Sequence, residues 1–209
     1  MRRALLLAVV GAVLVVAFAG VAYALTVQCD GVGDQNPALG QCAGTTADDQ
    51  ITGTLQRDVI SALAGNDFVS ARAGDDEVRA EGGADELHGD QGNDVLFGEA
   101  DDDTYFGDRG DDTLDEEANT SNDTMVGGQN NDTMNGGGGS DDLTGSVGDD
   151  TVVGGEGVDV RINGGDGNDQ IDALDGVADT LVNGGAGNDT CRIDQGLDRP
   201  KYCETIVTQ

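Results

Sequence analysis

Aspartate recurs through most of this chain on a strict lattice. Asp49, Asp58, Asp67, Asp76, Asp85, Asp94, Asp103 and Asp112 follow one another at nine-residue intervals. An eleven-residue step through Glu116 and Glu117 leads to Asp123, and steps of nine resume through Asp132, Asp141, Asp150 and Asp159. Asp169, Asp179 and Asp189 close the series at intervals of ten. A fixed period over so long a stretch means stacked copies of one small unit, not a single core closed by distant segments.

Other residues keep register with the aspartates. An apolar side chain usually stands two positions later, as in Ile51, Ile60, Val69, Val78, Leu87, Leu96, Tyr105, Leu114, Met125, Met134, Leu143, Val152, Ile171 and Leu181. Glycine recurs five and two positions earlier, as in Gly89 and Gly92 or Gly136 and Gly139. The unit reads as a Gly-rich turn, an Asp and a three-residue strand that buries one side chain. Such a unit cannot fold alone, so the copies must stack into a β-solenoid with a narrow core.

Composition is informative only against this lattice. Acids outnumber bases 41 to 10, for a net charge of −31, which excludes nucleic acid as a partner. With 35 glycines and 3% aromatic residues, the composition alone is that of a disordered chain. Turns on one edge of a solenoid stack at about 4.8 Å. Two carboxylates at that distance repel by about 3.5 kcal/mol at a dielectric of 20. Such repulsion opposes the very stacking that the lattice requires.

The segments GDQGNDVLF at Gly89–Phe97, GGDGNDQID at Gly164–Asp172 and GGAGNDTCR at Gly184–Arg192 resemble the GGxGxDxUx nonapeptide of hemolysin-type (RTX) calcium-binding repeats. The resemblance implies an all-β parallel β-roll with two repeats per coil. It also implies Ca2+ ions between successive turns, held by the repeat carboxylates and turn carbonyls. Calcium is a hard cation taking six to eight oxygens, and Gly lets main-chain carbonyls converge on it. The ligand positions so implied are Asp49, Asp67, Asp76, Asp85, Asp94, Asp103, Asp112, Asp132, Asp141, Asp150, Asp159, Asp169 and Asp189. Without calcium the chain is expected to be largely disordered.

Some repeats depart from the pattern. Arg57 beside Asp58 should weaken a cation there, and ANTSND before Asp123 lacks both glycines, which predicts a bulge or a break. Arg161 falls where an apolar residue is expected, leaving Ile162 as a candidate for the inward place.

The ends differ from the repeats. Residues 1–24 carry Arg2 and Arg3, then an uncharged run ending in Ala22-Tyr23-Ala24. This is a signal peptide with an A-x-A cleavage site, or a retained anchor, since the run is long enough to span a bilayer. Either places the rest outside the cytoplasm, secreted or surface-tethered, with a membrane as partner only if the segment is retained. RTX proteins typically use an uncleaved C-terminal export signal, so the N-terminal one is a departure. Four cysteines suit that compartment, and their clustering favours Cys29–Cys42 and Cys191–Cys203 among the three pairings. These would close an N-terminal cap at 25–43 and a C-terminal cap at 194–209, bounding repeats at 44–193.

No enzyme is expected. The single His88 reads as a solvated surface residue, no G-x-S-x-G occurs, and in a ladder no carboxylate pair is singled out. The reading is a secreted calcium-binding repeat protein that folds on binding several Ca2+ ions. The alternative is a structural or adhesive surface protein, ice binding included, in which calcium only holds the scaffold. Thr104, Thr113, Thr124, Thr133, Thr151, Thr180 and Thr190 should face outward, but Phe68, Glu77, Glu86 and Asp142 interrupt any Thr array.

Overall fold

The computed structural model describes residues 26–29, 40–116 and 119–208. The expected export segment, the middle of the N-terminal cap and Glu117 lie outside the described residues.

The chain winds through two parallel sheets that face each other across one core. One sheet has nine strands: Thr26–Gln28, Gln50–Thr52, Phe68–Ser70, Glu86–His88, Thr104–Arg109, Thr124–Gln129, Asp142–Val147, Arg161–Asp166 and Val182–Ala186. The other has ten: Gly40–Ala43, Asp58–Ala64, Glu77–Gly82, Val95–Ala100, Thr113–Asp115, Thr133–Asn135, Thr151–Val153, Gln170–Ala173, Thr190–Ile193 and Thr205–Thr208. A two-stranded pair, Gly138–Gly139 with Glu156–Gly157, lies in the turns. Consecutive strands alternate between the large sheets, so each coil consumes two repeats. No helix occurs among the described residues.

Register places one apolar side chain per strand in line with those above and below. On one sheet Ile51, Val69, Leu87, Tyr105, Met125, Leu143, Ile162 and Val182 pair in succession. On the other the column runs from Cys42 through Ile60, Val78, Leu96, Leu114, Met134, Val152 and Ile171 to Cys191. All are buried. Burying each such side chain stabilises the stack by about 2 kcal/mol.

Two expectations need correction. Leu181 is not the inward residue of its repeat; it is half-buried and Val182 points inward. The extra residue of that repeat falls between Asp179 and the strand, which shifts the alternation by one. The same slip turns Arg161 outward, where it bonds Asp142 at 2.6 Å, and brings Ile162 in. His88 is not simply solvated. It stacks on Phe106 with centroids 4.6 Å apart and reaches Glu86 at 3.0 Å. The segment before Asp123 does not break the solenoid, because Thr124–Gln129 pairs with strands on both sides.

The disulfides are Cys29–Cys42 and Cys191–Cys203. Each sits near one end of the solenoid. At the C-terminal end the tail pairs with both sheets, through Lys201 beside Asn183 and through Thr205–Thr208 beside Thr190–Ile193. An otherwise open parallel edge is covered in this way.

Candidate metal centre

Each coil turns two corners, and a lattice aspartate enters the strand at each. Down one corner run Asp49, Asp67, Asp85, Asp103, Asp123, Asp141, Asp159, Asp179 and Asp198. Down the other run Asp58, Asp76, Asp94, Asp112, Asp132, Asp150, Asp169, Asp189 and Glu204. In both ladders the backbone N–H of one member donates to a carboxylate oxygen of the next, at 2.6–3.0 Å. One oxygen of every carboxylate after the first in each ladder is thereby engaged between coils.

The other oxygen decides the chemistry. In twelve aspartates Oδ2 is buried and accepts no hydrogen bond: Asp67, Asp76, Asp85, Asp94, Asp103, Asp112, Asp123, Asp132, Asp141, Asp150, Asp169 and Asp189. Burying such an oxygen without a donor is costly. In eight of them the glycine five residues earlier makes room for it, whereas Ala62, Ala71 and Ala80 stand at that place before Asp67, Asp76 and Asp85. A Cβ on Gly89 would lie 2.6 Å from Asp94 Oδ2 and 2.9 Å from the Gly107 carbonyl oxygen, one coil on. At Gly136 the corresponding distances are 2.7 Å to Asp141 Oδ2 and 2.5 Å to the Gly154 carbonyl. Each such corner thus brings oxygens from two coils to one small space and offers them no donor. That donor set suits a hard divalent cation.

Electrostatics point the same way. Desolvation lifts Asp94, Asp103 and Asp132 to about 8, and Asp85 and Asp141 to about 7, although the N–H from the neighbouring coil opposes it. Like charge along the ladder adds to the rise. These carboxyl groups keep their protons up to near-neutral pH unless a cation offsets the cost of the buried charge.

Eleven of the thirteen expected positions carry this free oxygen. Asp49 does not, because the Thr45 backbone N–H and Oγ donate to its Oδ2 at 2.6 and 2.9 Å. Asp159 is buried and engages Asp141 at 3.0 Å, but is not one of the twelve. Asp123, set aside because its turn lacks glycines, belongs with them. Asp58 was discounted for Arg57, yet Arg57 extends toward Glu77 at 3.9 Å, and the donor that fills Asp58 Oδ2 is the Thr54 N–H at 2.6 Å.

Two features escaped the sequence reading. Where Asn or Asp precedes a lattice Asp, it builds a second, exposed ladder: Asp75 accepts from Asn93 N–H at 3.1 Å, and Asn93 in turn from Asp111 N–H at 3.0 Å. The recurring Asn-Asp and Asp-Asp pairs were its signal. The other is Glu116, a fully buried carboxylate that accepts from the Tyr105 hydroxyl and from Asn119 Nδ2. A single oxygen from each of Asp103, Glu116 and Asp123 lies within 4.8 Å of the others.

A family model described as RTX calcium-binding nonapeptide repeat (4 copies) matches residues 43–78, 79–114, 117–152, 126–160, 144–177 and 179–199. No curated protein matches the chain.

Proposed function

Because this chain belongs to the RTX calcium-binding nonapeptide repeat family, we propose that it is an exported, non-catalytic β-roll that folds as Ca2+ ions fill both corners of its coils. Calcium binding as such comes with the family; the ion-by-ion assignment and the export are our reading. The observation that carries it is the row of buried, unpartnered Oδ2 atoms, eight of the twelve set against the space that a glycine leaves open. Bound calcium supplies positive charge and an open coordination shell, and nothing else is asked of it.

The chain's own residues do the rest. Asp67, Asp76, Asp85, Asp94, Asp103, Asp112, Asp132, Asp141, Asp150, Asp169 and Asp189 each keep one oxygen on the neighbouring coil and present the other to the ion. Asp123 joins them. Asp49 contributes less, since Thr45 already occupies its second oxygen. The glycines at the corners exclude side chains and expose carbonyls. The ladders repel themselves when ion-free, so binding and folding are one event.

The surface alternative has less behind it. Outward Thr runs are short: Thr104 pairs with Thr124 but is flanked by Glu86, and Thr124 by Asp142. Circular dichroism of the purified chain during calcium titration, with magnesium as control, tests the proposal. Strand signal should appear with calcium and vanish with chelator. A signal indifferent to chelator sinks it.

A further inference from the structure

We propose that Asp103, Glu116 and Asp123 form a distinct, tighter calcium centre at the middle of the solenoid, built by a carboxylate where the repeats place glycine. Asp115 pairs with Phe97 on one side and with Asn135 on the other. Glu116 is therefore level with Gly98 and Gly136, the residues whose missing side chains open the corners. The eleven-residue step puts Glu116 in that place and adds residues to the turn behind it.

Three observations converge there. Oxygens of the three carboxylates lie within 4.8 Å of one another, and all three residues are buried. Oδ2 of Asp103 and of Asp123 accepts no hydrogen bond. Glu116 is held in place by neutral donors alone, the Tyr105 hydroxyl, Asn119 Nδ2 and, at 3.5 Å, Ser121 Oγ. Tyr105 stands in a column otherwise filled by Ile, Val, Leu and Met, and its length lets its hydroxyl reach the corner. A Cβ on Gly98 would meet that hydroxyl at 2.1 Å and Asp103 Oδ2 at 2.2 Å, so the phenol and the free oxygen face one space.

Calcium affinity rises with the number of charged ligands and with the rigidity of the site. An ordinary corner draws on the lattice carboxylates and turn carbonyls, whereas this one adds a third carboxylate whose orientation is already set. It is the first site to load, and it pins register where the repeat length changes. The inference rests on the calcium reading above only for the identity of the ion.

Terbium(III), a calcium substitute whose emission is sensitised by a nearby tyrosine, reads this site selectively. The chain has three tyrosines and no tryptophan. In full-length protein carrying Tyr23→Phe and Tyr202→Phe, Tyr105 is the sole sensitiser. Emission should rise at the lowest terbium additions and be displaced by calcium. Glu116→Gln, which keeps an acceptor for Tyr105, should weaken the half-loading concentration about tenfold or more. Glu116→Gly restores the repeat glycine and guards against a folding failure in the first variant. It should fold with calcium, by circular dichroism, and show the same weakening. Unchanged half-loading in folded Glu116 variants overturns this inference alone. A parent chain that gains no strand signal with calcium overturns the calcium reading as well.

Discussion

The first two corners and those that follow carry the same aspartate in the same register, yet they complete it differently. At Asp49 and Asp58 the residue four positions earlier is Thr, whose N–H donates to Oδ2 at 2.6 Å in both. At most later corners that position turns to positive φ, as at Leu63 (85°), Arg72 (81°) and Asp90 (70°), and in twelve of the later aspartates Oδ2 is left without a donor. A non-Gly residue held there costs on the order of 1 kcal/mol. The opening turns are thus satisfied by protein atoms, while the interior coils leave these oxygens without a donor. The corners that the chain's own donors complete are those nearest the end that the Cys29–Cys42 disulfide closes.

The comparison can be broken most severely at a glycine of the interior. Gly92 has φ 132°, and a Cβ there would lie 1.5 Å from the Gly74 carbonyl oxygen. Gly92→Ala should therefore cost about 3 kcal/mol or more in calcium-loaded denaturant melts. Gly82→Ala meets nothing within 4 Å and should stay within about 0.5 kcal/mol of the parent. Equal losses would mean that close coil stacking is not what fixes these glycines.

Next in size is the aspartate itself. Asp132→Asn keeps an acceptor for the Asp112 N–H but removes the charge at the corner. Calcium titration should show one fewer ion or a markedly weaker one, with a loss of about 2 kcal/mol in calcium-loaded melts. Asp49→Asn should leave the ion count unchanged, and Thr45→Ala should cost only about 1 kcal/mol, the loss of a local cap. If Asp49→Asn matched Asp132→Asn, the two regions would not differ as described.

Acidification sharpens the same contrast. In the interior ladders burial raises the folded-state carboxylates from the usual 3.8 to about 6 for Asp76 and about 8 for Asp94 and Asp132. Between those limits the folded chain binds more protons than the unfolded one. Stability of the ion-free roll is therefore greatest below about pH 4 and falls as pH rises through 6 to 8. In chelator, strand signal should grow on lowering the pH. With calcium present the dependence should reverse, because protons compete for the same oxygens. Circular dichroism at several pH values, with and without calcium, checks both signs; a metal-free signal that falls with acid contradicts the buried ladders.

Much of the architecture was legible before any coordinates. The nine-residue period required stacking, and the position two after each Asp identified all but one of the named inward residues. Cysteine clustering gave the pairing. The failures came where the folding of a turn, or the pairing of one coil with the next, decides which atoms meet. Thr45 and Thr54 look like ordinary turn residues until their N–H groups are seen at the carboxylates. Leu181 and Val182 are both apolar, so a ten-residue repeat leaves its own phase undecided. Glu116 was passed over as part of an irregular step, and only the pairing of Asp115 with Phe97 and Asn135 puts it at a glycine corner.

The sequence by itself therefore determined the unit, its period and the sign of the charge that the roll must neutralise, because those follow from local spacing and the need to bury one apolar side chain per strand. Which oxygen of each aspartate is engaged and which is free was decided only by the tertiary structure. That choice depends on N–H groups and carbonyls arriving from the next coil, 18 to 20 residues away in the regular interior. No spacing rule within a single repeat can supply that geometry.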